Sequence, residues 1–261
     1  MDQKIKAIFE SNWKKFFGNS ELPIIFYFSN ELSGAQEAAI PKGRSCLICE
    51  LSKVRNGESI AFNDASLACG GAKRYLGFSQ GMRTNFEYFL SYGIPGKMEG
   101  ERYIRIPEMV KEIQKKQVHL PHNKEYIIFK RWDKIETHDE PDVVIFFVTP
   151  DVLSGLFTLA NFDQVAHDSS IAPFGAGCGS IVYYPWLEKD RESPRAVIGM
   201  FDPSARPFVG PNILTFAVPM VKFKKMIGYM EESFLITHTW DVLLKRINKV
   251  MMPKIVGKFL Q

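Results

Sequence analysis

GRSCLICELSKVRNGESIAFNDASLACGGAKRYLGF, residues 43–78, holds three of the chain's four cysteines: Cys46, Cys49 and Cys69. It also reads as a helix, a strand and a tight turn. Ser45 can cap a helix over 46–55, with Gly57 just past its end. Ile60-Ala61-Phe62 is a short strand, and Asn63-Asp64 a turn. Cys69-Gly70-Gly71 then opens a run whose pattern returns later. Gly71-Ala72-Lys73 and Ser204-Ala205-Arg206 each lead to an aromatic, an aliphatic and a glycine.

Two further blocks recur around it in the same order. The apolar stretch after Pro23 resembles the one after Pro141, and residues 103–113 resemble 216–226 as a strand, a proline and a helix. Repeated order is what duplicated units that need each other to close a core would leave. The fold class expected is therefore α+β, two pseudo-repeated strand/helix halves packed around a shared core. One compact domain over 1–261 would hold halves at about 20–118 and 125–230 and a C-terminal helix at 231–251. Under that duplication Cys69 corresponds to Asp202, and Cys178 lies upstream of Asp202 as Cys46 and Cys49 lie upstream of Cys69.

Elsewhere the apolar pattern marks a helix over 2–17 (Ile5, Ile8, Phe9, Trp13, Phe16, Phe17), ended by Gly18 and expected to pack on the core. Strands are expected at 23–28, 60–62, 103–106, 126–129, 142–148, 196–201 and 215–218. Helices are expected at 83–92, from Pro107, from Thr149-Pro150 to about 161, and from Pro219.

The bulk composition narrows the function classes. With 261 residues, 46% of them hydrophobic, the chain can bury a sizeable core. Its 33 basic and 29 acidic residues leave a net charge of +4, with no basic stripe interleaved with aromatics, so nucleic acid is not an expected partner. No apolar run reaches membrane-spanning length and the first residues lack a signal-peptide pattern. A cytoplasmic protein is expected, whose cysteines are thiols or metal ligands rather than disulfides.

The cysteines carry the leading chemical expectation. Cys46-x-x-Cys49 puts two sulfurs on one helical face, about 5–6 Å apart at Cβ. That spacing suits a zinc half-site, part of an iron–sulfur cluster or a dithiol redox pair. Cys69 and Cys178 would complete a set of four, and Gly70, Gly71, Gly177 and Gly179 would let backbone amides approach their sulfurs. Thiols packed as small hydrophobes are the competing explanation. The glycine-rich run 175–180 does not match a phosphate-loop motif, and close backbone packing is its expected role. A second function class is a small-molecule or anion-binding module using that loop with Asp202 and Arg206. A third is a thiol oxidoreductase centred on Cys46 and Cys49. The histidines do not assemble: His119 and His122 flank Leu120-Pro121, His138 and His238 are solitary, and His167 beside Asp168 is the one nearest the glycine-rich loop.

The run from Cys69 to Gly77, the later Gly177-Cys-Gly-Ser-Ile-Val, the Asp202-Pro-Ser-Ala-Arg206 turn and the stretch ending Phe216-Ala-Val-Pro219 together resemble the archaeal and bacterial "domain of unknown function 169" family. The resemblance covers roughly residues 20–225. It implies a cysteine followed by a glycine-rich turn and an aliphatic-glycine pair as the family's mark, and it brings no established activity. Cys46-x-x-Cys49 is not implied for every member.

Overall fold

A computed structural model describes residues 1–120 and 123–249 of the chain. Helix α1 (Gln3–Phe17) starts where the Asp2 carboxylate accepts the Lys4 amide, and it ends at Gly18, whose positive φ turns the chain away. Strand β1 (Ile24–Ser29) and the two-residue β2 (Gln36–Glu37) follow. Next come helix α2 (Leu47–Arg55), β3 (Ile60–Phe62), the short helices α3 (Gly70–Tyr75) and α4 (Phe86–Leu90), and α5 (Pro107–Lys116). Strand β4 (Tyr126–Arg131) leads to β5 (Val143–Val148), α6 (Pro150–Ala160) and β6 (Ser170–Ile171). A π-helical turn (Gly179–Tyr183) runs into α7 (Tyr184–Glu188). Strands β7 (Ala196–Gly199) and β8 (Leu214–Pro219), then helices α8 (Met220–Tyr229) and α9 (His238–Lys249), complete the described chain.

Among the described residues, eight strands form one sheet in the order β2-β3-β4-β1-β5-β8-β7-β6. At its middle β1 and β5 run antiparallel, with Ile24 opposite Ile145. The next two pairs outward on each side are also antiparallel, and the two outermost pairs, β2–β3 and β6–β7, are parallel. The protein is thus a mixed α+β fold.

Both faces of this sheet are covered, which is why β1 and β5 read as unbroken apolar runs instead of alternating ones. Ile25, Tyr27, Val144, Phe146 and Val148 point to one face. There they meet Phe9, Trp13 and Phe17 of α1, Leu156 of α6, Phe223 of α8 and Trp240 of α9. Aromatic edges knit that layer: Phe9 lies 4.6 Å from Trp132, and Trp13 stacks 4.4 Å from Phe17. Ile24, Phe26, Val143, Ile145 and Phe147 point to the other face. Leu47, Ile48 and Leu51 of α2, Ala72 of α3 and Ile181 and Val182 of the π-helical turn close over them. The candidate site lies in this second layer.

Three expectations change. Residues 103–106 form bends, not a strand. The Arg102 and Ile104 amides donate to Ser91 and Leu90 carbonyls, which ties the segment to α4 instead of the sheet. The helix expected over 83–92 shrinks to Phe86–Leu90 because Asn85 takes a left-handed conformation before it. The helix expected over 231–251 is split. A 3-10 turn (Phe234–Ile236) capped by Ser233 precedes α9, and residues 250 and 251 lie outside the described residues.

Candidate functional site

Cys46 and Cys69 each occupy the residue before a helix, whereas Cys178 lies within the first turn of a helical segment that begins at Gly177. Cys46 precedes α2, Cys69 precedes α3 and Cys178 precedes the π-helical turn. Ser45, expected at the cap of α2, is displaced by one residue, and its hydroxyl donates instead to the Glu50 carboxylate at 2.7 Å. A helix start presents unpaired N–H groups. The amides of Ile48 and Cys49 face the Cys46 sulfur, and the Gly179 amide faces that of Cys178.

Two glycines bring these starts together. A Cβ on Gly177 would stand 2.8 Å from the Ala205 Cβ and 3.2 Å from Cγ1 of Ile48, so the glycine-rich loop, α2 and the turn after β7 meet in van der Waals contact there. A Cβ on Gly179 would stand 3.1 Å from the Tyr75 ring of α3. The role expected for the glycine-rich run, close packing of backbone, is the one seen at these two positions. Gly70 and Gly71 lie in the first turn of α3, and Gly71 approaches the Cys69 sulfur, 3.5 Å from where its Cβ would be.

Burial sets most of the electrostatics of these thiols. Cys178 is buried, and burial pushes its thiol well above the usual range; Cys69, Cys46 and Asp202 add to the upward shift. Burial also raises the half-buried Cys46, opposed by the two amides that face it, with Cys69 and Cys49 adding smaller upward pushes. Cys69 and Cys49 are exposed. The Tyr75 phenol is pushed up by burial first and by Cys178 next.

Asp202 and Arg206 do not form an ion pair with each other. Asp202 is 5% exposed and accepts the Gly177 amide at 3.1 Å, the Ser204 amide at 2.9 Å and the Ser204 hydroxyl at 2.8 Å. The Arg206 guanidinium donates to the carbonyls of Gly210, Pro211 and Ile213, so it clamps its own loop. Tyr103 reaches this corner from the segment before α5: its phenol is raised chiefly by burial and then by Asp202, and its ring lies 6.0 Å from Phe174. Two cavities of about 710 and 270 Å³ lie elsewhere, one between α6 and α9 beside Trp240 and one beside β2 and Glu50.

No trio of cysteine sulfurs among the described residues lies within 4.8 Å of one another. The trio of candidate ligands that does is Glu136, His138 and Asp139. There the Lys130 ammonium already takes the place of a cation, 2.9 Å from Asp139 Oδ2 and 3.1 Å from Glu136 Oε2. His167 and His238 are exposed, His119 is half-buried and His122 lies outside the described residues.

A family profile described as domain of unknown function 169, uncharacterised ArCR, matches residues 15–228. The chain belongs to that family. In this domain of unknown function 169 protein the matched span takes in the whole eight-stranded sheet, all four cysteines and the Asp202 turn. Comparisons with curated proteins and with solved structures return no match. No helix among the described residues is long and apolar enough to cross a membrane.

Sequence reading singled out the cysteines, the glycines and Asp202 as candidates. It missed Tyr75 as a neighbour of Cys178, and no local signal sets that tyrosine apart. It also missed the buried Lys130–Asp139 pair with Tyr27, because a lysine inside an apolar strand reads as an outward-facing residue.

Proposed function

We propose that this protein binds a metal centre, and specifically an iron–sulfur cluster, at the meeting point of α2, α3 and the π-helical turn. What supports the reading is that α2, α3 and the π-helical turn, which carry or adjoin Cys46, Cys69 and Cys178, pack on the same sheet face, and that Cys69 and Cys46 add to the upward push on the Cys178 thiol. Cys49, one turn into α2, is the nearest further thiol. Two sulfurs bound to one zinc ion at about 2.3 Å each cannot stand more than about 4.6 Å apart. No cysteine trio among the described residues is that compact. A [4Fe–4S] cluster gives each thiolate its own iron and accepts wider spacing, so it suits this arrangement better than zinc. When bound, it would supply electron-transfer or Lewis-acid chemistry, and N–H groups facing the sulfurs would tune it.

We further infer that the fold is built from two pseudo-repeated halves. The sheet order reads the same from either edge if β1 to β4 are matched with β5 to β8, and the pairing directions match as well. This matching sets β4 against β8, so the third block expected from sequence, residues 103–106, drops out of the repeat. A reducing cytoplasm, where thiols stay free, suits the four unpaired cysteines.

A thiol oxidoreductase is the second reading, favoured by Cys46 at a helix start with exposed Cys49 one turn on. Burial lifts the Cys46 thiol, the opposite of an activated nucleophile. The small-ligand module has less support, because the Arg206 guanidinium is engaged with carbonyls. The deciding experiment is anaerobic purification followed by reconstitution with ferrous iron and sulfide, and elemental analysis. Bound iron and sulfide with visible absorption support a cluster. A colourless protein free of metal removes the proposal, and fast selective alkylation of Cys46 in that protein would favour the oxidoreductase.

A further inference from the structure

We propose that Lys222 is a reactive amine that condenses with small aldehydes. It lies in the first turn of α8, which covers the sheet face opposite the one beneath Cys46 and Cys178, so the inference does not depend on a metal centre. Lys130 and Lys222 are the buried lysines among the described residues, and they are built in opposite ways. The Lys130 ammonium makes four hydrogen bonds. Lys222 is 7% exposed, yet among the described residues its amine has no hydrogen-bond or ion-pair partner.

An ammonium withdrawn from water needs acceptors, and without them the neutral amine is favoured. The position in the helix adds to this, because the first turn is the positive end of the dipole and is unfavourable to a cation. Burial is the largest influence and holds the amine below the usual lysine range; Asp163 opposes it, Lys225 one turn along α8 adds to it, and Asp168 opposes it. The Asp163 carboxylate is itself engaged, accepting from the Tyr229 hydroxyl at 3.3 Å and the Gln164 side-chain amide at 2.7 Å. Among the described residues, the fully enclosed side-chain atoms that lack a partner lie on Glu10, Ser170, Trp186 and Thr215. The Lys222 nitrogen also lacks a partner and is not one of these, so its tip opens to solvent while its stem is covered. A small molecule can therefore reach it. A free amine is a nucleophile where an ammonium is not. Its lone pair attacks the aldehyde carbon, the two amine protons leave with the carbonyl oxygen as water, and a C=N bond remains.

The test is reductive methylation of the wild-type chain with formaldehyde and dimethylamine–borane, stopped early and read lysine by lysine as peptide mass. The borane delivers hydride to the imine and fixes it as a methylamine. At neutral pH Lys222 should label faster than exposed Lys224 and Lys225 by at least about threefold, because the free-amine fraction rises about tenfold for each unit by which a pKa falls. At about pH 11, where all three amines are free, its burial should put it behind them. In concentrated urea the lead at neutral pH should vanish, because the fold creates it. Labelling at neutral pH equal to or slower than that of Lys224 and Lys225 overturns the proposal and leaves Lys222 a lysine with a covered stem. A lead that survives unchanged at about pH 11 or in urea overturns it too, since neither the lost proton nor the fold would then be its cause.

Discussion

Replacing Lys130 by methionine should strand a buried negative charge. The Lys130 side chain is 1% exposed and Asp139 is fully enclosed. The ammonium donates to both Asp139 oxygens at 3.0 and 2.9 Å, to Glu136 Oε2 at 3.1 Å and to the Ser33 carbonyl at 2.7 Å. Methionine matches the stem but offers no proton, which leaves Asp139 with the Tyr27 hydroxyl and the Glu136 amide as donors. Removing one partner of a buried pair costs about 3–5 kcal/mol. For a domain of this size that corresponds to a fall of roughly 6–20 °C in Tm. Urea unfolding at neutral pH, followed by circular dichroism, should show it as a lower midpoint at unchanged slope. The double variant K130M/D139N removes the charge as well and should regain more than about 1 kcal/mol over K130M alone, since contacting partners couple. A K130M protein within about 1 kcal/mol of wild type would refute the reasoning. So would single costs that simply add in the double variant.

A Gly177→Val variant pushes a side chain to within 2.8 Å of Ala205 and 3.2 Å of Ile48, and overpacking should cost about 1–3 kcal/mol in a urea titration while lowering iron uptake. The Arg131 guanidinium, bidentate to Asp133, holds that carboxyl below its usual range. The unfolded state therefore binds more protons, so the pair's stabilisation is full above about pH 4 and fades as acid protonates Asp133 in the fold. With Asp133 31% exposed the effect is below about 1 kcal/mol, and Arg131→Met should flatten the acid limb of stability against pH by that amount. Native-state alkylation of the metal-free protein, read by peptide mass, should label exposed Cys49 and Cys69 well before buried Cys178; early labelling of Cys178 would contradict the burial described here.

The middle of the sheet was legible because burial on both faces leaves a simple mark. Residues 24–28 and 143–148 read as continuous apolar runs, and they became β1 and β5. The edges were not legible. β2 and β6 are two residues long, and their backbone hydrogen bonds, such as Gln36 N–H to the Ser59 carbonyl at 2.8 Å, impose no side-chain pattern. The π-helical turn was hidden for a related reason. Gly179 to Tyr183 are all buried, so no polar stripe reveals a helical period.

The site divides along the same line. Cys46-x-x-Cys49 is the conspicuous motif because both residues sit in one short window, but a helix beginning at Leu47 puts Cys46 at its cap and leaves Cys49 on the exposed side. What packs α2, α3 and the glycine-rich loop against one another is long-range. It depends on Gly177 admitting Ile48 and Ala205, and on Gly179 admitting the Tyr75 ring. A glycine chosen for close approach looks in sequence like one chosen for a turn. Asp202 carries the same ambiguity, since an aspartate after a strand is first of all a cap, and it does cap the Ser204 amide. Its burial, its lack of a basic partner among the described residues and its bond to the residue beside Cys178 are set by the fold and not by the neighbouring sequence. None of the three is visible without coordinates.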